Sequence, residues 1–212
     1  MQTENVFILG GSRGLGQAIV KELQHTQPSW RLFVFARKNV EHTFDFSKSQ
    51  DQAKVIATIG EQKPSRIFYI AGGGPYGEFA KKEWKDHQWA LDVSFLFPAK
   101  LIHESLRLEF VKQFVVIGSL VAESQAHPMG ASYGAAKSAL LGLLQSIKAE
   151  NPAPSLDLRL FSPTFINTEL LPKNAYPRRL GLPILEADFV AKKFCQWIVN
   201  PESHWHYKLE SP

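Results

Sequence analysis

Three residues of the chain have the types needed for acid–base chemistry on a carbonyl or an alcohol: Tyr133, Lys137 and Ser119. Tyr133 and Lys137 are four positions apart at the start of a predicted helix, so both side chains project from one face. A free tyrosine has a pKa of about 10, and a nearby ammonium favours the phenolate. A serine hydroxyl can stabilise negative charge that develops on a substrate oxygen. The pattern predicts a tyrosine general acid/base assisted by lysine and serine.

A glycine-rich loop stands directly between the first predicted strand and the first predicted helix. Glycines in such a loop permit a tight turn and let backbone N–H groups approach a pyrophosphate, which the helix N-terminus also attracts. The spacing differs from the commoner G-x-G-x-x-G pattern. The loop therefore predicts a site for a dinucleotide cofactor, and the residues predicted to contact it are Gly10, Ser12, Arg13, Gly14, Leu15 and Gly16.

The charge after the second predicted strand distinguishes NADP from NAD. An NAD site usually has an acidic residue there to bind the ribose 2′-hydroxyl. This chain has Arg37 and Lys38 instead, with no carboxylate until Glu41, and Arg13 adds a second guanidinium. Arginine can bind a 2′-phosphate through two hydrogen bonds. The alternative is that these arginines are only solvated. The sequence favours NADP(H) over NAD(H).

Apolar runs that alternate with helical patterns predict the elements that carry these residues. The runs have the length of strands buried on both faces, as in a parallel sheet. Their alternation with helices predicts a doubly wound α/β fold, Rossmann-like, in a single domain over residues 1–212. The crossover after the second strand is short, and so is the C-terminus. The predicted strands are 6–9, 32–36, 66–70, 113–117, 156–161 and a last one at 205–209, and the predicted helices are 50–59, 81–110, 132–150 and 186–199.

Together these features resemble the short-chain dehydrogenase/reductase family over nearly the whole chain. The glycine loop matches the family's pattern with Leu9 in place of threonine, and Ser119, Tyr133 and Lys137 occur in the family's catalytic order. The resemblance implies an oxidoreductase in which the tyrosine is the acid/base, the lysine also binds the nicotinamide ribose and the serine positions a small-molecule substrate. It implies further cofactor contacts at Asp45 and Phe46, at Ala71 and Gly72 after the predicted strand 66–70, and at Pro163, Ile166 and Thr168 near the nicotinamide.

One position departs from the family pattern on the predicted long helix. Ser94 stands where the family has an asparagine that holds a proton-relay water near the lysine. A serine hydroxyl can also bind a water, but it is shorter and aimed differently. The substitution is compatible with slower turnover, with a rearranged relay, or with an inactive NADP(H)-binding regulatory protein.

The resemblance also implies a homodimer formed through the long helix and the Tyr133–Lys137 helix.

Composition narrows the remaining classes. The net charge is +4, but the basic residues are scattered, which argues against a nucleic-acid partner. No apolar run approaches the roughly 18 residues of a membrane span. Cys195 is the only cysteine, so no intrachain disulfide can form. Without a secretory pattern at the N-terminus, the sequence predicts a cytoplasmic protein. His204 and His206 alternate along a predicted strand, but no third ligand accompanies them, so no metal site is predicted.

Overall fold

A seven-stranded parallel sheet organises the chain in this computed structural model, which describes residues 3–124, 128–150 and 155–211. The strand order is β3-β2-β1-β4-β5-β6-β9, and a separate parallel pair joins β7 to β8. The strands are β1 Glu4–Leu9, β2 Trp30–Ala36, β3 His42–Thr43, β4 Arg66–Tyr69, β5 Gln113–Ile117, β6 Asp157–Pro163, β7 Ile166–Asn167, β8 Leu185–Glu186 and β9 His206–Leu209.

Helices cover both faces of the sheet. Two apolar clusters lie on opposite faces: Phe7, Phe35 and Tyr69 belong to one, and Ile8, Phe68 and Phe161 to the other. Side chains alternate between the faces of a strand, so a sheet covered twice needs continuous apolar runs. The helices are α1 Gly14–Thr26, α2 Ser49–Gln62, α3 Trp84–Leu91, α4 Phe97–Ser105, α5 Leu120–Ser124, α6 Ala131–Glu150, α7 Tyr176–Arg179 and α8 Ala187–Ile198, with a 3₁₀ turn at Phe79–Lys81.

The predicted doubly wound sheet is confirmed, including its two short parts. Strand β2 passes to β3 through residues 37–41 without a helix, and β3 has only two residues. The last strand, β9, pairs in parallel with β6. The strand order reverses between β1 and β4, and ligands of open α/β sheets bind in the crevice at such a point.

The long helix predicted at 81–110 is the element that differs most from expectation. A π turn at Asp92–Leu96 separates α3 from α4, and the Phe97 N–H donates to the Asp92 carbonyl. Pro98 supplies the physical reason, because a proline has no N–H to continue the α-helical hydrogen bonds. The Val93 carbonyl instead accepts a 2.6 Å hydrogen bond from the Tyr69 hydroxyl at the end of β4.

No helix among the described residues is both long enough and apolar enough to cross a membrane.

Candidate functional site

A cavity of about 840 Å³ opens at the carboxyl ends of the central strands. It lies beside the point where the strand order reverses, as the fold predicts. Every site residue predicted from the sequence lines it except Ser94. These residues are Gly10, Ser12, Arg13, Gly14, Leu15, Gly16, Arg37, Asp45, Phe46, Ala71, Gly72, Ser119, Tyr133, Lys137, Pro163, Ile166 and Thr168.

The glycine loop connects β1 to α1 at the floor of the cavity. Gly10 has a φ of 101°, in the left-handed region, and a Cβ there would clash with the Ala71 backbone. A Cβ on Gly16 would clash with the Gly10 carbonyl, so neither position tolerates a side chain. No side chain caps the start of α1, whose first turn also contains no acidic residue. The loop therefore presents backbone N–H groups and the positive end of a 13-residue helix to the cavity.

Basic side chains gather at the end of the cavity next to β2. Arg13 and Arg37 are exposed there, as the sequence predicts, and Lys38 and Lys48 join them. The Arg37 guanidinium lies 5.1 Å from the ring centroid of Trp89, close enough for a cation–π interaction. Sequence reasoning missed Trp89 and Lys48 as site residues. The signal in the sequence for Trp89 was its place on the predicted helix 81–110, five residues before Ser94.

Asp45 and Phe46 are held by their own local contacts. The Asp45 carboxylate accepts hydrogen bonds from the Ser47 N–H at 3.1 Å and from its hydroxyl at 2.8 Å. The Asp45 N–H donates to Asp51 at 2.9 Å, and this hydrogen bond is the main reason that the pKa of Asp51 is lowered. Phe46 is buried, and its ring packs against Tyr69. These contacts fix the position of the Asp45–Phe46 backbone along the cavity wall.

Tyr133, Lys137 and Ser119 meet at the opposite end of the cavity. Tyr133 and Lys137 lie one turn apart on α6, and Ser119 lies between β5 and α5. The Lys137 Nζ donates a 2.7 Å hydrogen bond to the Ile117 carbonyl and lies 5.6 Å from the Tyr133 ring centroid. Ser119 is hydrogen-bonded to Tyr133. The sequence alone therefore identified three side chains that are neighbours in space.

The protonation states of this group differ from the sequence expectation. Burial raises the pKa of Tyr133 to about 12, and the hydrogen bond with Ser119 lowers it by less than burial raises it. Burial also lowers the pKa of Lys137 to about 8. The prediction that Lys137 pulls the tyrosine pKa down is wrong for the protein by itself. The Lys137 ammonium is directed at the Ile117 carbonyl, and the loss of hydration dominates at both groups.

Ser94 lies behind the cavity wall rather than on it. Its side chain is fully buried in the π turn, and its Oγ donates to the Gly73 carbonyl and accepts from the Gly73 N–H, both at 3.0 Å. A Cβ on Gly72 would lie 3.1 Å from the Lys137 Nζ and 3.5 Å from the Ser94 Oγ. Both Ser94 contacts are to backbone, so the hydroxyl fixes the segment that follows β4.

The segment after β6 closes the cavity from the other side. Pro163 ends β6, Ile166 belongs to β7, and Thr168 follows that strand. A Cβ on Gly14 would lie 3.2 Å from the Thr168 side chain, so this segment contacts the glycine loop. Leu170 also lines the cavity and is 48% exposed.

His204 and His206 lie near the C-terminus, outside the residues that line the cavity. Within the described ranges, no group of three His, Cys, Asp or Glu side chains could hold a metal ion. His206 instead contacts Glu123 and Ser162.

Comparisons with known proteins agree with this architecture. No known family model matches the sequence. A cyclic-di-GMP-binding biofilm dispersal mediator protein of Escherichia coli is 26% identical over 220 residues, which cover 94% of this chain and 91% of that protein. A short-chain dehydrogenase from Burkholderia cenocepacia in complex with NADP superposes with a TM-score of 0.83 and 18% identity, over 99% of this chain and 97% of that one.

The fold is that of the short-chain dehydrogenases. A second such structure, a short-chain dehydrogenase from Sphingobium yanoikuyae in complex with NADPH, has a TM-score of 0.79 and 18% identity, over 97% of this chain and 87% of that one. Identities this low establish the architecture, whereas the chemistry of a site depends on this chain's own residues.

Proposed function

We propose that the chain is a short-chain dehydrogenase/reductase that uses NADP(H) to move a hydride to or from a small carbonyl or secondary alcohol. One observation carries the proposal: the glycine loop and the Tyr133, Lys137 and Ser119 side chains line the same cavity. A dinucleotide-binding loop without acid–base groups would suit a binding protein. The same acid–base groups without a phosphate-binding loop would have no partner for redox chemistry.

The residues along the cavity fit a dinucleotide with a 2′-phosphate. The glycine loop and the uncapped start of α1 suit the pyrophosphate, which prefers backbone N–H groups and the positive end of a helix. Arg13, Arg37 and Lys48 are exposed cations at the end of the cavity where the family binds the adenosine. Arginine recognises phosphate through charge-assisted hydrogen bonds. When bound, NADP(H) would supply the hydride in reduction or accept it in oxidation.

The three side chains then divide the acid–base work. In reduction, Tyr133 donates its hydroxyl proton to the substrate carbonyl oxygen, and in oxidation its phenolate takes the alcohol proton. Ser119 donates a hydrogen bond to the same oxygen and stabilises the charge that develops there. Lys137 has a pKa of about 8, so it remains mostly protonated at neutral pH, and its ammonium would bind the nicotinamide ribose.

Cofactor binding is the first test of this function. We expect NADPH to bind more tightly than NADH, measured by cofactor fluorescence. Arg37→Ala should weaken NADPH binding by roughly tenfold or more and leave NADH nearly unchanged, because a charge-assisted hydrogen bond is worth about 1.5–3 kcal/mol. Arg107→Ala, which removes an exposed arginine outside the cavity, is the matched control. If neither cofactor binds the wild-type protein, the proposed function is wrong.

Turnover is the second test. We expect the wild-type protein to reduce at least one compound of a panel of small carbonyls with NADPH. On that substrate, Tyr133→Phe should lower kcat by roughly 10²- to 10⁴-fold, the usual contribution of a general acid. The phenylalanine variant keeps the ring and should still bind NADPH. Turnover that persists at the wild-type rate in this variant would contradict the assigned role of Tyr133.

A cofactor-binding regulator is the second candidate, and two observations favour it. The Escherichia coli relative is described as cyclic-di-GMP-binding, and the exposed basic residues of the cavity would also suit a cyclic dinucleotide with two phosphates. Calorimetric titration with cyclic-di-GMP, alone and in the presence of NADPH, separates the two functions. NADPH-competitive binding of cyclic-di-GMP, with no turnover on the carbonyl panel, would favour the regulator.

A further inference from the structure

A buried polar trio lies next to the Ser119 segment, outside the cavity. It consists of Glu123 on α5, Ser162 on β6 and His206 on β9. The Ser162 hydroxyl donates to Glu123 Oε1 at 2.5 Å. The His206 Nε2 lies 3.1 Å from Glu123 Oε2 and 3.1 Å from the Ser162 Oγ. Ser162 is fully buried, and the Glu123 and His206 side chains are only 2% and 9% exposed.

The trio packs against the backbone that leads into Ser119. A Cβ on Gly118 would clash with the Ser162 Oγ and would lie 2.9 Å from Glu123 Oε1. The Glu123 N–H donates to the Ser119 carbonyl at 3.1 Å. The trio therefore touches the chain on both sides of Ser119.

Helix α5 needs such an external restraint. It has five residues, and a helix this short is not stable by itself. Its described tertiary contacts include the Glu123 carboxylate with Ser162, and the Ala122 carbonyl, which accepts a 2.6 Å hydrogen bond from Ser138 on α6. A buried carboxylate is costly to desolvate, and an apolar side chain of similar size would be about as stabilising. What the carboxylate adds is direction, because its hydrogen bond with Ser162 and its 3.1 Å contact with His206 connect α5 to β6 and β9.

We propose that Glu123, Ser162 and His206 are positioning residues that hold Ser119 in place for the acid–base step. This inference rests on the proposed function, since it assigns the trio a task in the Ser119–Tyr133 hydrogen bond. The trio acts through the backbone of Gly118 and α5 and does not touch substrate or cofactor. Displacement of Ser119 would weaken its hydrogen bond to Tyr133. That hydrogen bond lowers the pKa of Tyr133, so its loss raises that pKa further.

Two substitutions of Glu123 separate positioning from simple stability. Glu123→Leu keeps the side-chain bulk and loses both polar contacts, whereas Glu123→Gln retains an acceptor for Ser162 and offers a donor to the His206 Nε2 of the Nδ1–H tautomer. We expect Glu123→Leu to lower kcat by roughly tenfold and Glu123→Gln to restore most of it, because a small misplacement of a catalytic group is costly. The KM for the carbonyl and the Kd of NADPH should change by less than about twofold, since the trio lies outside the cavity.

The pH profile adds a readout that a merely structural role would not move. The activity of Glu123→Leu in alcohol oxidation should rise at higher pH than that of the wild type, in the same direction as Ser119→Ala. Hydrogen–deuterium exchange of residues 118–123 should be at least about tenfold faster in Glu123→Leu, because local opening is easier once the anchor is lost. Ser162→Ala provides a milder second variant if the leucine variant does not fold.

Asp157→Asn is the control, because it breaks the 2.8 Å ion pair with Arg159 at the opposite end of β6. It should leave the exchange of residues 118–123, kcat and the pH profile unchanged. Wild-type exchange and kcat in both Glu123→Leu and Ser162→Ala would overturn the inference, as would equal effects of the control. If the wild-type protein reduces no carbonyl, the proposed function fails, and the exchange data alone decide whether the trio holds the Ser119 segment.

Discussion

Lys137 is a buried lysine of the candidate site whose charge destabilises the folded protein. The residue is only 2% exposed, and its ammonium group donates to the Ile117 carbonyl. Burial without a carboxylate partner lowers the pKa of Lys137 from 10.5 to about 8, a difference worth about 3 kcal/mol at neutral pH. The buried cation lies one helical turn from Tyr133 and lines the cavity.

We therefore predict that Lys137→Met stabilises the protein while it abolishes turnover. At pH 7 and without cofactor, the melting temperature should rise by about 5 °C, after allowance for the lost hydrogen bond to Ile117. Because the folded-state pKa is depressed, the unfolded chain holds the lysine proton more tightly. Wild-type stability should thus rise with pH between about 8 and 10.5 relative to the variant, and the difference should vanish above that window.

Thermal unfolding across pH 7–10.5 checks this, with Lys100→Met as the control for an exposed lysine. A methionine variant that is less stable than wild type at pH 7, or a difference independent of pH, would contradict it.

The types and spacing of residues were sufficient to predict most of the candidate site. The parts of the site that could not be predicted have physical reasons. Ser119, Tyr133 and Lys137 could be recognised because their chemistry depends on type and spacing. The Glu123–Ser162–His206 trio could not, because its members lie 39 to 83 positions apart on three elements, with no periodic signature. The protonation states also escaped prediction, because the desolvation that sets them depends on packing and not on the neighbours in sequence.

At the scale of elements, the π turn between α3 and α4 determines what Ser94 does. The turn aims the Val93 carbonyl at Tyr69 and the Ser94 hydroxyl at Gly73, so two consecutive residues anchor the helix to the end of β4. Apolar periodicity predicted one continuous helix at 81–110, because a single extra residue in a turn barely disturbs a 3.6-residue pattern. Pro98 was the available signal, since a proline inside a helical pattern indicates a break.

Because Ser94 anchors the helix in this way, we expect the asparagine that short-chain dehydrogenases have at this position to destabilise this protein. We predict that Ser94→Asn lowers the free energy of unfolding by about 2 kcal/mol or more, because the longer side chain overpacks a fully buried position beside Gly72. Ser94→Ala should cost about 1–2 kcal/mol through the two unpaired Gly73 groups.

Urea unfolding of both variants checks the order of these effects, and Ser146→Ala on the exposed face of α6 is the control. If the asparagine variant were as stable as wild type and turned over faster, Ser94 would be a weakened relay residue and not an anchor.

At the scale of the whole molecule, the sheet explains why the fold could be predicted so closely. Strand β5 lies within the predicted bounds, and all five of its residues are buried. Four of them form an apolar run, and the buried Gln113 that begins the strand donates hydrogen bonds to Asp157 and the Ile198 carbonyl. The short connection from β2 to β3 and the short β9 were also foreseen, because connection length limits what can lie between parallel strands. The β7–β8 pair was not, since two-residue strands leave no pattern.

The outer surface of α3 and the π turn is where a second copy of the chain should bind. Trp84 is 66% exposed and Leu96 is 52% exposed, whereas Leu140 and Leu144 on the neighbouring α6 are buried in the chain's own core. The apolar face of α6 therefore serves the sheet, and the apolar surface left for a dimer lies on the α3 side. A two-fold axis would use each exposed side chain twice, so one substitution removes two contacts.

We predict that the wild-type chain of 23.9 kDa sediments as a dimer of about twice that mass and that Leu96→Asp sediments as a monomer. Burying one leucine contributes about 2 kcal/mol, and two aspartates brought together at the axis would oppose association as well. Leu180→Asp is the matched control, because Leu180 is 68% exposed and caps the end of α7, a different element from that of Leu96. A monomeric wild type, or a Leu96→Asp variant that remains dimeric, would show that the exposed side of α3 does not hold a second chain.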